Sequence, residues 1–193
     1  MNEKTGSLLP ASRPAAPPRN ATRRLSVGGL PLGGGAEVLV QSMLNTSTED
    51  VAASLAQIDE LVAVGCELIR VAIPHARALD GFERICEASP LPVVADVHFD
   101  FRLAVEAARR GAAKLRINPG NIGDMDMVDA IIDAAGQAAI PVRIGVNAGS
   151  LSETFRQRDD LSLPQKLAAS AVEYVEHFES QGFDAIVLSA KAH

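Results

Sequence analysis

The sequence predicts an α/β protein of the (β/α)8 TIM-barrel type, truncated after about six βα units and preceded by a small N-terminal β-hairpin. Three observations lead there. Apolar, strand-like runs begin near Val38, Leu68, Val93, Leu115, Val142 and Ala185, with helical patterns between them. They recur at roughly the spacing of a βαβ module, about 30 residues, and Gly65, Gly111, Gly136 and Gly182 stand shortly before strands, where helix C-caps belong. After the first run stands Gln41-Ser42-Met43-Leu44-Asn45-Thr46 rather than the G-x-G-x-x-G of a dinucleotide-binding doubly wound sheet.

Composition agrees with that class. The chain has 193 residues, is 47% hydrophobic and only 4% aromatic, and contains no Trp and a single Tyr. Its core must therefore be built from Ala, Val, Leu and Ile, as in α/β proteins. A formal net charge of -6 disfavours nucleic acid or an anionic membrane as partner, so a local basic cluster would serve a small anion. Cys66 and Cys86 cannot make a disulfide framework; with no C-x-x-C partner, both are read as small buried hydrophobes in a reducing compartment. No apolar run approaches the roughly 18 residues of a membrane span. The expectation is a soluble, cytoplasmic protein.

In chain order, residues 1–22 are rich in Pro, Ala, Ser and Asn without apolar periodicity and are read as a disordered tail, leaving 23–193 as the incomplete barrel. Short alternating segments flank Gly28-Gly29 and predict the hairpin. Gly33-Gly34-Gly35 lacks the Lys-Ser/Thr of a Walker loop and is read as a turn. Thr48-Glu49-Asp50 supplies an N-cap and an acidic first turn for the first helix, with Val51, Leu55, Ile58, Leu61 and Val62 at helical spacing. The fourth run, Lys114 to Asn118, alternates: Leu115 and Ile117 on one face, Lys114, Arg116 and Asn118 on the other. It runs into a glycine-punctuated loop, Asn118-Pro119-Gly120-Asn121. Before the last helix, Leu151 to Pro164 is extra loop.

Barrel enzymes place their chemistry at the carboxyl ends of the strands. Here those ends carry Arg70, then Asp96 and His98, then Arg116 and Asn118, then Arg143 and Asn147, then Ser189 and Lys191. Arg and Lys are almost never buried without partners, so four cations converging on one mouth imply a multiply charged anion. A diphosphate suits them, because guanidinium forks match its oxygens two at a time. The competing explanation is that each cation pairs with an acidic residue at the rim. Asp96 and His98 share a face and are read as hydrogen-bonding or acid/base groups; with no second histidine pair, no metal site is expected. A structural histidine, satisfied within the rim, is the alternative for His98.

Gln41-Ser42-Met43-x-Asn45-Thr46, Ile69-Arg70-Val71, Ala95-Asp96-Val97-His98-Phe99-Asp100, Leu115 through Gly123 and Arg143 through Leu151 occur in order and in register. From about Arg23 to Lys191 the chain resembles the 4-hydroxy-3-methylbut-2-enyl diphosphate synthase family of non-mevalonate isoprenoid (terpenoid) biosynthesis. The resemblance implies an iron–sulfur oxidoreductase that reductively opens the ring of 2-C-methyl-D-erythritol 2,4-cyclodiphosphate, drawing two electrons from ferredoxin or flavodoxin. It assigns Arg70, Arg116, Arg143 and Lys191 to the diphosphate, Asn118, Asn147 and Ser189 as polar partners, and His98 beside them. In the full-length family a [4Fe–4S] cluster, held by three cysteines and a glutamate in a C-terminal domain, completes the site across a homodimer. Cys66 and Cys86 match no cluster motif, so the chain as given is expected to carry the substrate-binding barrel without the cluster domain or its ligands, and to be inactive alone. The other readings are a stand-alone phosphate-binding barrel lyase, synthase or isomerase, and a non-catalytic remnant.

Overall fold

A computed structural model of the protein describes residues 20–191. The N-terminal hairpin pairs β1 (Arg24–Val27) antiparallel with β2 (Leu30–Gly33), as expected from Gly28-Gly29. Both turn glycines have positive φ, 56° and 89°, which a two-residue hairpin needs. Of the expected tail, residues 1–19 lie outside the described residues. Thr22 is tied down: its Oγ1 accepts a hydrogen bond from the Gly34 N–H at 3.0 Å.

Six parallel strands then form one curved sheet in sequence order: β3 (Gln41–Met43), β4 (Leu68–Ala72), β5 (Val93–Asp96), β6 (Lys114–Ile117), β7 (Val142–Asn147) and β8 (Ile186–Lys191). The helices between them are α1 (Val51–Ala63), α2 (Ala78–Ala88), α3 (Phe101–Arg109), α4 (Pro119–Ile122), α5 (Met125–Gln137), α6 (Glu153–Arg156) and α7 (Leu163–Ser180). β3 and β8 are the two edges of this sheet.

Strand alternation divides the sheet into two faces with opposite chemistry. The convex side chains Ile69, Val71, Val93, Ala95, Leu115, Ile117, Val142 and Ile144 join the large core beneath the helices, against Phe82, Ile85, Ile131 and Phe178. The concave face begins apolar and ends charged. At its lower end Leu68 and Val94 pack with Val27 of the hairpin in a separate small cluster, bordered by Leu32 and Ala113. The hairpin is therefore the floor of the half-barrel. A Cβ on Gly28 would lie 2.5 Å from the Pro92 ring, so the turn sits hard against the loops below the sheet.

Several local expectations need correcting. The first strand starts at Gln41 rather than Val38, and Val38 and Val40 are exposed. At the sheet edge they have a neighbour on one side only. Asp50 alone caps α1, accepting from the Ala53 N–H, and no acid occupies the first turn. Thr48 turns inward instead, its Oγ1 donating to the Ala72 carbonyl at 2.6 Å. Gly65, Gly111 and Gly182 take positive φ after their helices, but Gly136 lies inside α5 and Ala139 adopts the left-handed conformation there (φ 53°). The Asn118–Asn121 loop is a helical turn, α4, with Pro119 at its start, and Leu151–Pro164 contains α6.

Gly81 of α2 makes the tightest approach of any described glycine: a Cβ there would lie 2.1 Å from the Thr48 carbonyl oxygen. Gly81→Ala must push α2 off the loop before α1. Equilibrium urea unfolding should show about 1–3 kcal/mol of destabilisation.

Candidate functional site

The carboxyl ends of β4 to β8 meet in a bowl above the apolar floor. A cavity of about 220 Å³ there is lined by Arg70, Arg116, Arg143, Asn147, Ser189 and Lys191, together with Gly145 and Val146 of β7. All four cations and two of the three polar residues expected from the sequence are thus brought together. The register explains it: Arg116 pairs with Arg143 across β6–β7, and Gly145 and Asn147 stand opposite Ser189 and Lys191 across β7–β8. Asn118 shares the face of Arg116 but is buried at the start of α4, outside that lining.

Asp96 organises the charges. It is 1% exposed, and its two carboxylate oxygens accept from Arg70 Nη2 at 2.7 Å and Arg116 Nη1 at 3.0 Å. The expected competition between rim pairing and anion binding is therefore divided. Arg70 and Arg116 have a carboxylate. Among the described residues Arg143 has none: its Nη2 donates to Ser189 Oγ at 2.8 Å. Burial, and then the like charges of Arg70 and Arg116, push the Arg143 guanidinium below its ordinary value, with Asp96 pulling the other way. Arg70 Nε is buried without a hydrogen-bond partner.

His98 stands half-exposed beside this pair. Its Nε2 is 3.1 Å from Arg116 Nη1 and 3.3 Å from Asp96 Oδ2. A guanidinium can only donate, so a hydrogen bond from Arg116 makes Nε2 the acceptor, and a neutral ring then carries its proton on Nδ1. Asp96 and His98 also line a second, mostly apolar cavity of about 200 Å³ with Ala72, Ile73, Pro74 and Leu103. Phe99, 73% exposed, stands at its lip.

One contributor was missed from the sequence, and one residue was placed on its face without its depth. Gly145 allows the Arg116 side chain to lie across β7, since a Cβ would meet its Nη2 at 3.1 Å and Nε at 3.2 Å. A glycine in mid-strand is the signal of such a close approach. Lys114 was seen to share a face with Arg116, but that face proves to be the interior, where the side chain is buried.

A family model described as the GcpE TIM-barrel domain matches residues 22–193. The chain belongs to the GcpE TIM-barrel family. It is 46% identical, over 90% of its length, to 4-hydroxy-3-methylbut-2-en-1-yl diphosphate synthase (flavodoxin) from Pseudomonas savastanoi pv. phaseolicola, and 44% identical over 90% to the enzyme of the same name from Alteromonas mediterranea. In each case the match covers 47% of the relative, so this GcpE-family chain spans about half the length of those curated relatives. Among solved structures it is similar to 7,8-dihydropteroate synthase from Vibrio fischeri, with a TM-score of 0.62, 18% identity, and coverage of 86% of this chain and 66% of that one. That likeness concerns the fold alone.

The GcpE-family chain does not offer a cluster site among its described residues. No group of three or more His, Cys, Asp or Glu is placed to hold a metal. Cys66 is buried, its Sγ directed at the Leu68 carbonyl. Burial, with Glu83 and Glu87 nearby, pushes the Cys86 thiol up to about 12, the reverse of what a thiolate ligand requires. Also among the described residues, no helix is long and apolar enough to cross a membrane.

Proposed function

We propose that this chain is the substrate-binding barrel of a 4-hydroxy-3-methylbut-2-enyl diphosphate synthase, and that its bowl holds the diphosphate of 2-C-methyl-D-erythritol 2,4-cyclodiphosphate. One observation carries the reading. Arg70, Arg116, Arg143 and Lys191 line a single cavity, while Asp96 is the one carboxylate that pairs with them among the described residues. The surplus positive charge needs an anion of more than one charge, and the name of the chain's relatives favours a diphosphate.

In this reading Arg143, Lys191, Asn147 and Ser189 contact phosphate oxygens directly. Arg70 and Arg116 present to the ligand the N–H groups that Asp96 leaves free. Asp96 acts as a positioning residue rather than the acid or base expected from the sequence, because both its oxygens are already engaged by guanidinium groups. His98 is the group left to move a proton at the mouth, beside an apolar cavity suited to the carbon skeleton. Asn118 supports the strand-to-helix turn beneath. Opening the ring breaks a carbon–oxygen bond and leaves its electrons on the diphosphate, which gains charge. Cations fixed around those oxygens therefore favour the opened form over the cyclic one. The two electrons supplied, with two protons, remove a hydroxyl as water and leave the double bond of the product.

The two electrons come, in the whole protein, from flavodoxin, the donor named for the relatives, or from ferredoxin, through a [4Fe–4S] cluster. We place that cluster in the half of the relatives' length that this chain does not span, with a homodimer bringing it to the bowl. Calorimetric titration of the chain with the cyclic diphosphate tests the proposal. Saturable binding with inorganic diphosphate as competitor is expected; a chain that ignores both overturns it. Arg143→Met should weaken inorganic diphosphate binding about tenfold or more without lowering the unfolding midpoint, since its partner is a single hydroxyl and it leaves no carboxylate unpaired. Reconstitution with iron and sulfide should leave this chain without a stoichiometric visible absorbance.

A further inference from the structure

Lys114 is the one interior charge that the site as described does not use. It opens β6, and its concave neighbour on β5 is Val94, part of the apolar floor with Val27 and Leu68. The side chain is 4% exposed. Among the described residues its ammonium has no carboxylate within ion-pair distance and no hydrogen-bond partner, and its nitrogen is not sealed from the bowl as Arg70 Nε is. A buried ammonium without a counter-charge is expensive to keep.

The surroundings make that cost specific. From β4 it faces Arg70, and from β7 it faces Arg143; both are like charges, and both oppose its protonation. On β5 the only acid is Asp96, one concave position above Val94, and its oxygens already serve Arg70 and Arg116. On its own strand the next inward residue is Arg116. The hairpin contributes Val27 and Leu32, and β3 contributes Gln41 and Met43, none of them charged. On β8, Lys191 stands at the exposed far rim. Every ionised group facing Lys114 except Asp96 is therefore positive, and the bowl directly above it is the cavity assigned to an anion.

We propose that Lys114 is a proton-coupled floor to the anion site: a diphosphate bound above it neutralises the surrounding arginines and draws a proton from solvent onto its amine. This rests on the diphosphate reading of the bowl and extends it. In the free chain, burial first and then Arg143 and Arg70 lower the Lys114 ammonium to about 8, so the amine is partly unprotonated in mildly alkaline solution. Bound anion reverses the sign of the local field and restores the proton. By linkage, anion affinity must then fall as pH rises through that range, because binding has to recruit the proton.

The test is titration of the 193-residue chain with inorganic diphosphate near pH 9, in two buffers of different ionisation enthalpy, which counts protons taken up on binding. Diphosphate itself exchanges protons, so the quantity read is the difference between variants. Wild type should take up about one proton more than Lys114→Met. At pH 7, where the amine is protonated in both states, Lys114→Met should bind about tenfold more weakly. Lys114→Arg keeps the charge but cannot give up its proton, so it should restore affinity at pH 7 and match Lys114→Met in proton count. If Lys114→Met does not fold, the arginine variant alone decides: uptake equal to wild type overturns the proposal. Equal affinity and equal proton counts in all three chains overturn it as well, while leaving the diphosphate site intact. A wild-type chain that binds no diphosphate overturns both.

Discussion

Asp96→Ala is expected to destabilise the chain by about 3–5 kcal/mol, the range seen when one partner of a buried ion pair is removed. The large value follows from where the residue sits. Asp96 is buried, and its carboxylate is the common acceptor for Arg70 and Arg116, with His98 alongside. Removing it leaves two guanidinium groups facing Arg143 and Lys114 with nothing negative between them. Urea unfolding at pH 7 measures the loss. Diphosphate added in excess should return part of it, because an anion that binds only the folded chain stabilises it by mass action. A loss below about 1 kcal/mol, the level of an exposed pair, would mean that solvent already screens the bowl.

The second large effect has the opposite sign. Lys114→Met should raise stability at pH 7, by up to roughly 3 kcal/mol, the equivalent of lowering the ammonium from 10.5 to about 8. The sign is set by proton counts. Between about 8 and 10.5 the unfolded chain holds the Lys114 proton and the folded chain has lost it, so wild-type stability rises with pH across that window. Below it both states are protonated and the full penalty is present; above it neither is, and the penalty vanishes. The gap between variant and wild type should therefore be widest near pH 7 and close towards pH 10.5. Chemical denaturation at several pH values would show this, and a gap constant with pH would mean that packing of the methionine, not charge, explains it.

Much of this was legible in the sequence, for reasons tied to particular residues. The run Leu68 to Ala72 was placed without error because β4 is paired on both sides and has no exposed residue. Val38 misled because an apolar residue beside an edge strand looks like one inside it. Gly136 misled because the alanine-rich end of α5 let Ala139 take the left-handed position, and composition alone does not mark that choice. At the site, alternation from Arg116 and Arg143 found the concave cations, since period two is fixed by the strand itself. What it could not show was pairing. That Asp96 would engage two of the cations, leaving Arg143 to a hydroxyl, depends on register between strands about 20 to 50 residues apart in the chain. Lys114 was assigned its face correctly, yet depth along that face, floor or mouth, is a tertiary property contributed by the hairpin.

The strand order of the large sheet has a consequence for how the molecule is made. Each strand from β4 to β8 hydrogen-bonds to the one synthesised just before it. The sheet therefore contains no pairing that skips a strand still to be made. A nascent chain can add one strand and helix at a time, using the last strand as template. Asp96 and its two arginines are complete once β6 has emerged, before β7 exists. Arg143 and then Lys191 arrive only after Asp96 already holds Arg70 and Arg116. The order of translation thus delivers the last two cations of the bowl after the sheet has begun to form.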